Sequence, residues 1–139
     1  MTKKRFTFDK DLGVKLVSIK KGYCLVKLNL KPSHLNNGGI VHGGVIASLC
    51  DIALAGAVGS VLKKEEWCVT AELNIEFVNP AFPDEPIFGY GKLVKKGNTL
   101  AFVDGGVKSR SKKLIAKAQG IWVIKTKPSR KILPAKTLS

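Results

Sequence analysis

One charge interrupts the run Gly44–Leu62 of small and apolar side chains: the carboxylate of Asp51. Taking an unpaired carboxylate out of water costs several kcal/mol unless it is hydrogen-bonded, metal-bound or protonated. Asp51 is therefore paired with a nearby donor, turned to solvent at a helix edge, or retained for chemistry, as a general base on water or as a nucleophile. The residues before it bear on that choice. Asn36, Asn37, Gly38 and Gly39 form a turn cluster, and His42-Gly43-Gly44 leads into a segment without proline or break. The glycine pair marks a helix entry, where unpaired N–H groups and the positive end of the helix dipole suit an anion or a polarised carbonyl. Glycine there also lets a ligand approach the backbone closely.

Spacing separates these two pieces of chemistry. Eight positions divide Gly43 from Asp51, about 12 Å along a helix, whereas a carbonyl polariser and a base must each lie about 3 Å from the reacting atoms. One helix cannot easily supply both. A site shared across a two-fold dimer, Gly43 of one copy facing Asp51 of the other, resolves the conflict.

The elements that must position these residues follow from pattern. Leu12–Ile19 and Tyr23–Leu30, divided by Lys20-Lys21-Gly22, read as a hairpin, with Cys24, Val26, Leu28 and Leu30 on one face of its second strand. Gly44–Leu62 is a helix apolar on nearly all sides, as expected when protein encloses it. Ala53, Gly56 and Gly59 form a strip for close backbone approach. Cys68–Val78 alternates, with Thr70, Glu72, Asn74 and Glu76 on one face. Ile87–Val94, Thr99–Val107 and Leu114–Ile124 complete the strands, and Pro80, Pro83 and Pro86 stiffen the connection before them. The expected class is α+β, an antiparallel sheet against one long helix.

The length of 139 residues fits a single domain over 1–126, with a basic tail at 127–139. Hydrophobic residues at 45% and charged ones at 24% suit a soluble globular chain. Three cysteines, Cys24, Cys50 and Cys68, in no metal-binding spacing, favour a reducing compartment and argue against structural zinc. Cys50 reads as a packing residue and His34 as a surface or turn residue. The N-terminus shows no apolar leader, so a cytoplasmic location is expected, and the polar and small residues of Gly44–Leu62 argue against a membrane span. A net charge of +14 raises nucleic acid as a partner. The basic residues are dispersed and carry no recognition motif, so none is expected.

Asn36, Gly39, His42-Gly43-Gly44 and an acid nine positions after the histidine, Asp51, together resemble the signature of the PaaI-like acyl-CoA thioesterases of the hotdog-fold superfamily. Val69–Ala81, ending in Pro80-Ala81, is similar to the strand that follows the helix in that family, and the resemblance covers about residues 8–125. It implies a hotdog fold, a sheet wrapped round the central helix, and a homodimer or dimer of dimers. It also implies hydrolysis of an acyl- or aryl-CoA with coenzyme A present only as part of the substrate and no other cofactor. Asp51 would be base or nucleophile and the Gly43 N–H the oxyanion donor beside Gly44. Asn36 and Thr70 would orient water or the carboxylate, and His42 would shape the site. Lys95, Lys96, Lys108, Arg110 and Lys112 suit the coenzyme phosphates. Each has a structural alternative: an Asx turn for Asn36, an ordinary strand position for Thr70, a backbone-bonding histidine for His42, and solvated surface for the lysines. A non-catalytic acyl-CoA sensor and a hotdog dehydratase or hydratase are the competing functions. An intact Asp51 favours hydrolysis over both.

Overall fold

The computed structural model describes residues 7–126; the expected basic tail at 127–139 lies outside the described residues. A short helix α1 (Phe8–Leu12) precedes the hairpin β1 (Val14–Lys20) and β2 (Tyr23–Leu28). A single 3-10 turn (Pro32–His34) leads to the long helix α2 (Gly43–Gly59). Strands β3 (Glu66–Phe77), β4 (Ile87–Lys96), β5 (Leu100–Ser109) and β6 (Leu114–Thr126) follow. All six strands form one sheet in the order β1-β2-β4-β5-β6-β3, every neighbour antiparallel. The α+β hotdog arrangement is the one the resemblance implied, with β1 and β3 at the two edges. No helix among the described residues is long and apolar enough to cross a membrane.

The core lies between α2 and the sheet. Leu49, Cys50, Ala53, Leu54, Ala57 and Val58 are buried on the helix, against Val26, Leu28, Ile87, Val103, Val107 and Trp122 of the strands. Close approach is set by glycines in the sheet. A Cβ on Gly91 would collide with the Ala53 carbonyl, and one on Gly89 would come within 2.9 Å of Leu49. Of the expected helical strip, Ala53 meets Gly91 and Gly56 packs on Cys24, while Gly59 is exposed and a Cβ there would face open space.

The helix begins one residue earlier than the pattern implied and stops three residues sooner, at Gly59. Ser60 ends it: its hydroxyl donates to the Ala57 carbonyl at 2.7 Å and accepts from the Gly22 N–H at 2.7 Å, so the β1–β2 turn is fastened to the helix end. Helix α1, at five residues, is too short to show a period and was not expected.

His34 lies in the 3-10 turn, as one of its two expected placements had it, but the surface placement is corrected. It is 2% exposed, not a surface residue. Its Nε2 meets the Leu12 carbonyl at 2.9 Å, its Nδ1 accepts from the Lys31 N–H at 3.2 Å, and its carbonyl receives the His42 N–H at 2.8 Å. One imidazole thus ties the end of α1 to the segment that starts α2. Replacing His34 by Ala leaves the buried Leu12 carbonyl without its donor, and chemical denaturation should show a loss of about 1–3 kcal/mol. Stability equal to wild type would mean that this link is not a support.

Candidate active site

The start of α2 is built by the His-Gly-Gly motif. His42 is the N-cap in extended backbone, and its Nδ1 accepts from the Gly44 N–H at 2.8 Å. Capping of this kind satisfies one of the orphan donors of a helix start. Gly44 is needed for it: a Cβ there would lie 3.0 Å from the His42 Nδ1. Gly43 is different, because its backbone is not in the left-handed region and a Cβ there would make an ordinary 3.6 Å contact with the Phe77 ring. Neither conformation nor packing demands glycine at 43. Its N–H, the first of the helix, has no acceptor among the described residues. The Gly44 N–H, grouped with it in the sequence reading, is already committed to His42.

Asn36 behaves as the turn-forming alternative proposed. Its Oδ1 accepts from the Gly38 N–H at 2.9 Å and the Ile40 N–H at 3.3 Å, while Gly39 takes positive φ to close the turn. That leaves the Nδ2 amide as the side chain's donor group toward a ligand.

Asp51 is half-buried, on the strip of α2 that the sheet leaves uncovered. The Thr70 hydroxyl donates to its Oδ1 at 2.8 Å. That contact depends on a β-bulge. Strict alternation puts Thr70 on the face of Glu72, Asn74 and Glu76, but the β3–β6 register shifts between Thr70 and Glu72. Thr70 therefore stands opposite buried Trp122, on the helix side, while Glu72 and Asn74 stand opposite Ile121 and Gln119 on the outer side. Cys68, two residues before Thr70, shares the helix side. Burial, and secondly the charge of Asp51, push its thiol pKa up. Cys50 points into the core with no exposed surface, its pKa raised to about 12 by burial and then by Asp51.

The basic candidates fall into two groups that the sheet keeps apart. Ile87 pairs with Ser109 and Lys96 with Ala101, so Lys95 and Lys96 lie at one end of the β4–β5 pair and Lys108 and Arg110 at the other. Those ends are about 30 Å apart along ten residues of strand. Lys96 is engaged, 3.2 Å from Glu66. Glu66 titrates below the ordinary carboxylate range, chiefly through the Lys63 N–H, opposed by burial and assisted by Lys96. Lys108 stands 4.8 Å from the centre of the Tyr90 ring, in a groove of about 380 Å3 shared with Tyr23, Arg110 and Lys112. This is the Gly43 end of the molecule, since Phe77 beside Gly43 pairs with Ala116, next to the start of β6.

A second groove, of about 460 Å3, contains Asp51 itself and was not foreseen. Its outer wall is β1, where the register shifts between Leu16 and Ser18. Leu16 opposite Val26 and Ile19 opposite Cys24 consequently face the same side. The one signal in the sequence was an apolar run, Leu16, Val17 and Ile19, that no strict alternation explains.

The sequence pattern of the thioesterase superfamily matches residues 38–116. An esterase-named protein of Saccharolobus solfataricus is 35% identical over 123 residues, 88% of this chain and 86% of its own. The Homo sapiens protein named acyl-coenzyme A thioesterase 13 is 31% identical over 121 residues, 86% of this chain and 85% of its own. The solved E. coli PaaI protein of the phenylacetic acid degradation operon shares the fold, with a TM-score of 0.77 at 24% identity over 83% of this chain and 81% of its own. A Streptococcus mutans protein solved bound to acetyl CoA has a TM-score of 0.76 at 26% identity, over 84% of this chain and 92% of its own. With the His42-Gly43-Gly44 helix start and Asp51 in place, the chain belongs to the thioesterase superfamily, as a PaaI-like hotdog protein.

Proposed function

We propose that this protein hydrolyses an acyl-CoA thioester to the free acid and coenzyme A, at sites each shared by two copies of the chain. The observation that carries the reading is the pairing of an accessible Asp51 carboxylate, held by Thr70, with a helix whose first N–H, at Gly43, has no acceptor among the described residues. The names of relatives support the substrate class: one is called an acyl-CoA thioesterase, and a structural neighbour holds acetyl CoA.

In the proposed step, Asp51 takes a proton from water as the oxygen attacks the thioester carbon. The carbonyl oxygen gains negative charge and is met by the Gly43 N–H and the positive end of α2. The C–S bond then breaks, coenzyme A leaves as thiolate or takes the proton, and the acid remains. Direct attack by Asp51, giving a mixed anhydride that water cleaves, uses the same groups. Thr70 fixes the carboxylate, Asn36 offers its Nδ2 to water or substrate, and His42 holds the helix start so that Gly43 points outward. No cofactor is required.

Because Gly43 and Asp51 are about 12 Å apart on one helix, the partner copy supplies the missing half. Edge strand β3, with exposed Val69 and Phe77, is the natural place for two copies to pair. Lys108 and Arg110, at the Gly43 end, are assigned to the coenzyme phosphates, while Lys95 and Lys96 lie at the wrong end of the same chain for them. Three free thiols fit a cytoplasmic location.

Thiol release from a panel of acyl-CoAs tests the reading. Asp51→Asn should lower kcat by about 10²–10⁴-fold while keeping the fold and coenzyme binding. A wild type that binds acyl-CoAs but turns none over would refute it. The thiol of Cys68 reports independently on the Asp51 charge. Asp51→Asn removes the like charge, so the Cys68 pKa should fall toward the ordinary thiol value and alkylation of Cys68, followed by mass spectrometry, should rise at lower pH than in wild type. An unmoved profile would mean that burial alone, and not Asp51, raises the Cys68 thiol.

A further inference from the structure

Resting on the reading of Asp51 above, we propose that the groove between α2 and the β1 edge holds the acyl chain, and that the substrates are acyl-CoAs with an unsubstituted aliphatic chain. The observation is a mismatch between direction and cover. The bulge at Val17 turns both Leu16 and Ile19 to the helix side of β1, the side that in β2 is fully buried at Val26 and Leu28. Yet Leu16 is 61% exposed and Ile19 49% exposed, because α2 does not reach them. Between them and the helix lies the 460 Å3 groove, with Ile52 and Ala55 on its helical wall and Cys24 on its floor.

The groove is continuous with the proposed reaction centre, since Asp51 is one of its lining residues. Ala55, one helical turn after Asp51, carries only a methyl group, and with Ile52 it makes the helical wall apolar beyond the carboxylate. Among the described residues on this wall, none after Asp51 has a polar side chain that could bond a hydroxyl or amide on the acyl group. A polar substituent packed against this wall gives up water without a partner there, which disfavours it by a modest factor. An unsubstituted chain instead gains about fourfold in affinity for each methylene it buries. The other polar lining residue is Asp9, an exposed carboxylate in the first turn of α1. Its charge stands against acyl chains that end in a second carboxylate, a repulsive element against the wrong substrate.

The test is the ratio of kcat/KM for octanoyl-CoA to that for acetyl-CoA, in wild type, Ala55→Phe and Leu16→Asp. The first variant fills the groove from the helix. The second puts a charge in it at a position already exposed, so that a folding failure of the first does not end the experiment. The ratio should exceed one in wild type and fall at least about tenfold in both variants, since several methylenes lose their cover. Asp9→Asn should raise turnover of the eight-carbon ω-carboxyacyl-CoA relative to octanoyl-CoA. Turnover with a ratio unchanged in both variants overturns the groove and leaves the hydrolase reading intact. Where wild type hydrolyses no acyl-CoA, the hydrolase reading fails, and calorimetry with the inert thioethers S-octyl-CoA and S-methyl-CoA decides the groove. Tighter octyl binding lost in Leu16→Asp supports it, and equal affinities overturn it.

Discussion

A helix that is apolar on nearly every side must be enclosed, and the rest of this fold answers to that requirement. Each buried Leu, Val or Ile side chain contributes about 1.5–3 kcal/mol when removed from water, so α2 is stable only inside the sheet. Enclosure needs close approach, and Gly89 and Gly91 of β4 provide it where a side chain would strike the helix. The sheet then curls round the helix with β1 and β3 as its free edges. What remains uncovered is one strip of α2, and Asp51 lies on it. The burial cost that makes a carboxylate improbable in such a helix is thereby reduced, and the hydroxyl of Thr70 offsets part of what is left.

Much of this was legible in the residues. The six strands and the helix follow from alternation and from the turn chemistry at Lys20-Lys21-Gly22 and Gly97-Asn98, and Asp51 stood out as the only charge in its run. Strand order came through the family resemblance, since a register over distant strands leaves no local trace. What local pattern misplaced has a shared cause in the two bulges. A single extra residue at Ala71 sends Thr70 to the helix side and Glu72 to the other, and one at Val17 brings Leu16 and Ile19, three residues apart, onto one side. Alternation has no means of registering such a step. The burial of His34 in its turn was missed for another reason: its partners, Leu12 and Lys31, are backbone groups, and these carry no side-chain signature.

The helix start shows how a short motif divides its labour. His42 accepts the Gly44 N–H, Gly44 leaves room beside the ring, and Gly43 between them keeps a donor with no acceptor among the described residues at the positive end of the helix. The histidine thus acts through geometry, holding the turn, and is a positioning residue in the proposed chemistry. The basic surface divides similarly. Lys96 is taken by Glu66 at one end of the sheet, and Lys108 and Arg110 lie at the end where Gly43 is found. The coenzyme, carrying its phosphates at one end and its thioester at the other, fits the second arrangement.

The claim on which the mechanism turns is that the donor and the carboxylate of one site come from different copies of the chain. Gly43→Pro deletes only the N–H: Gly43 is the first helical residue, where proline is accommodated, and His42 before it is already extended. Activity of Gly43→Pro, of Asp51→Asn and of the two chains unfolded and refolded together measures the claim directly. Each variant alone should be nearly inactive, and the mixture should recover about a quarter of wild-type activity, because half of the dimers are mixed and each contains one intact site. A mixture no more active than its parents, with exchange of chains demonstrated, would place both groups in one copy and contradict the account.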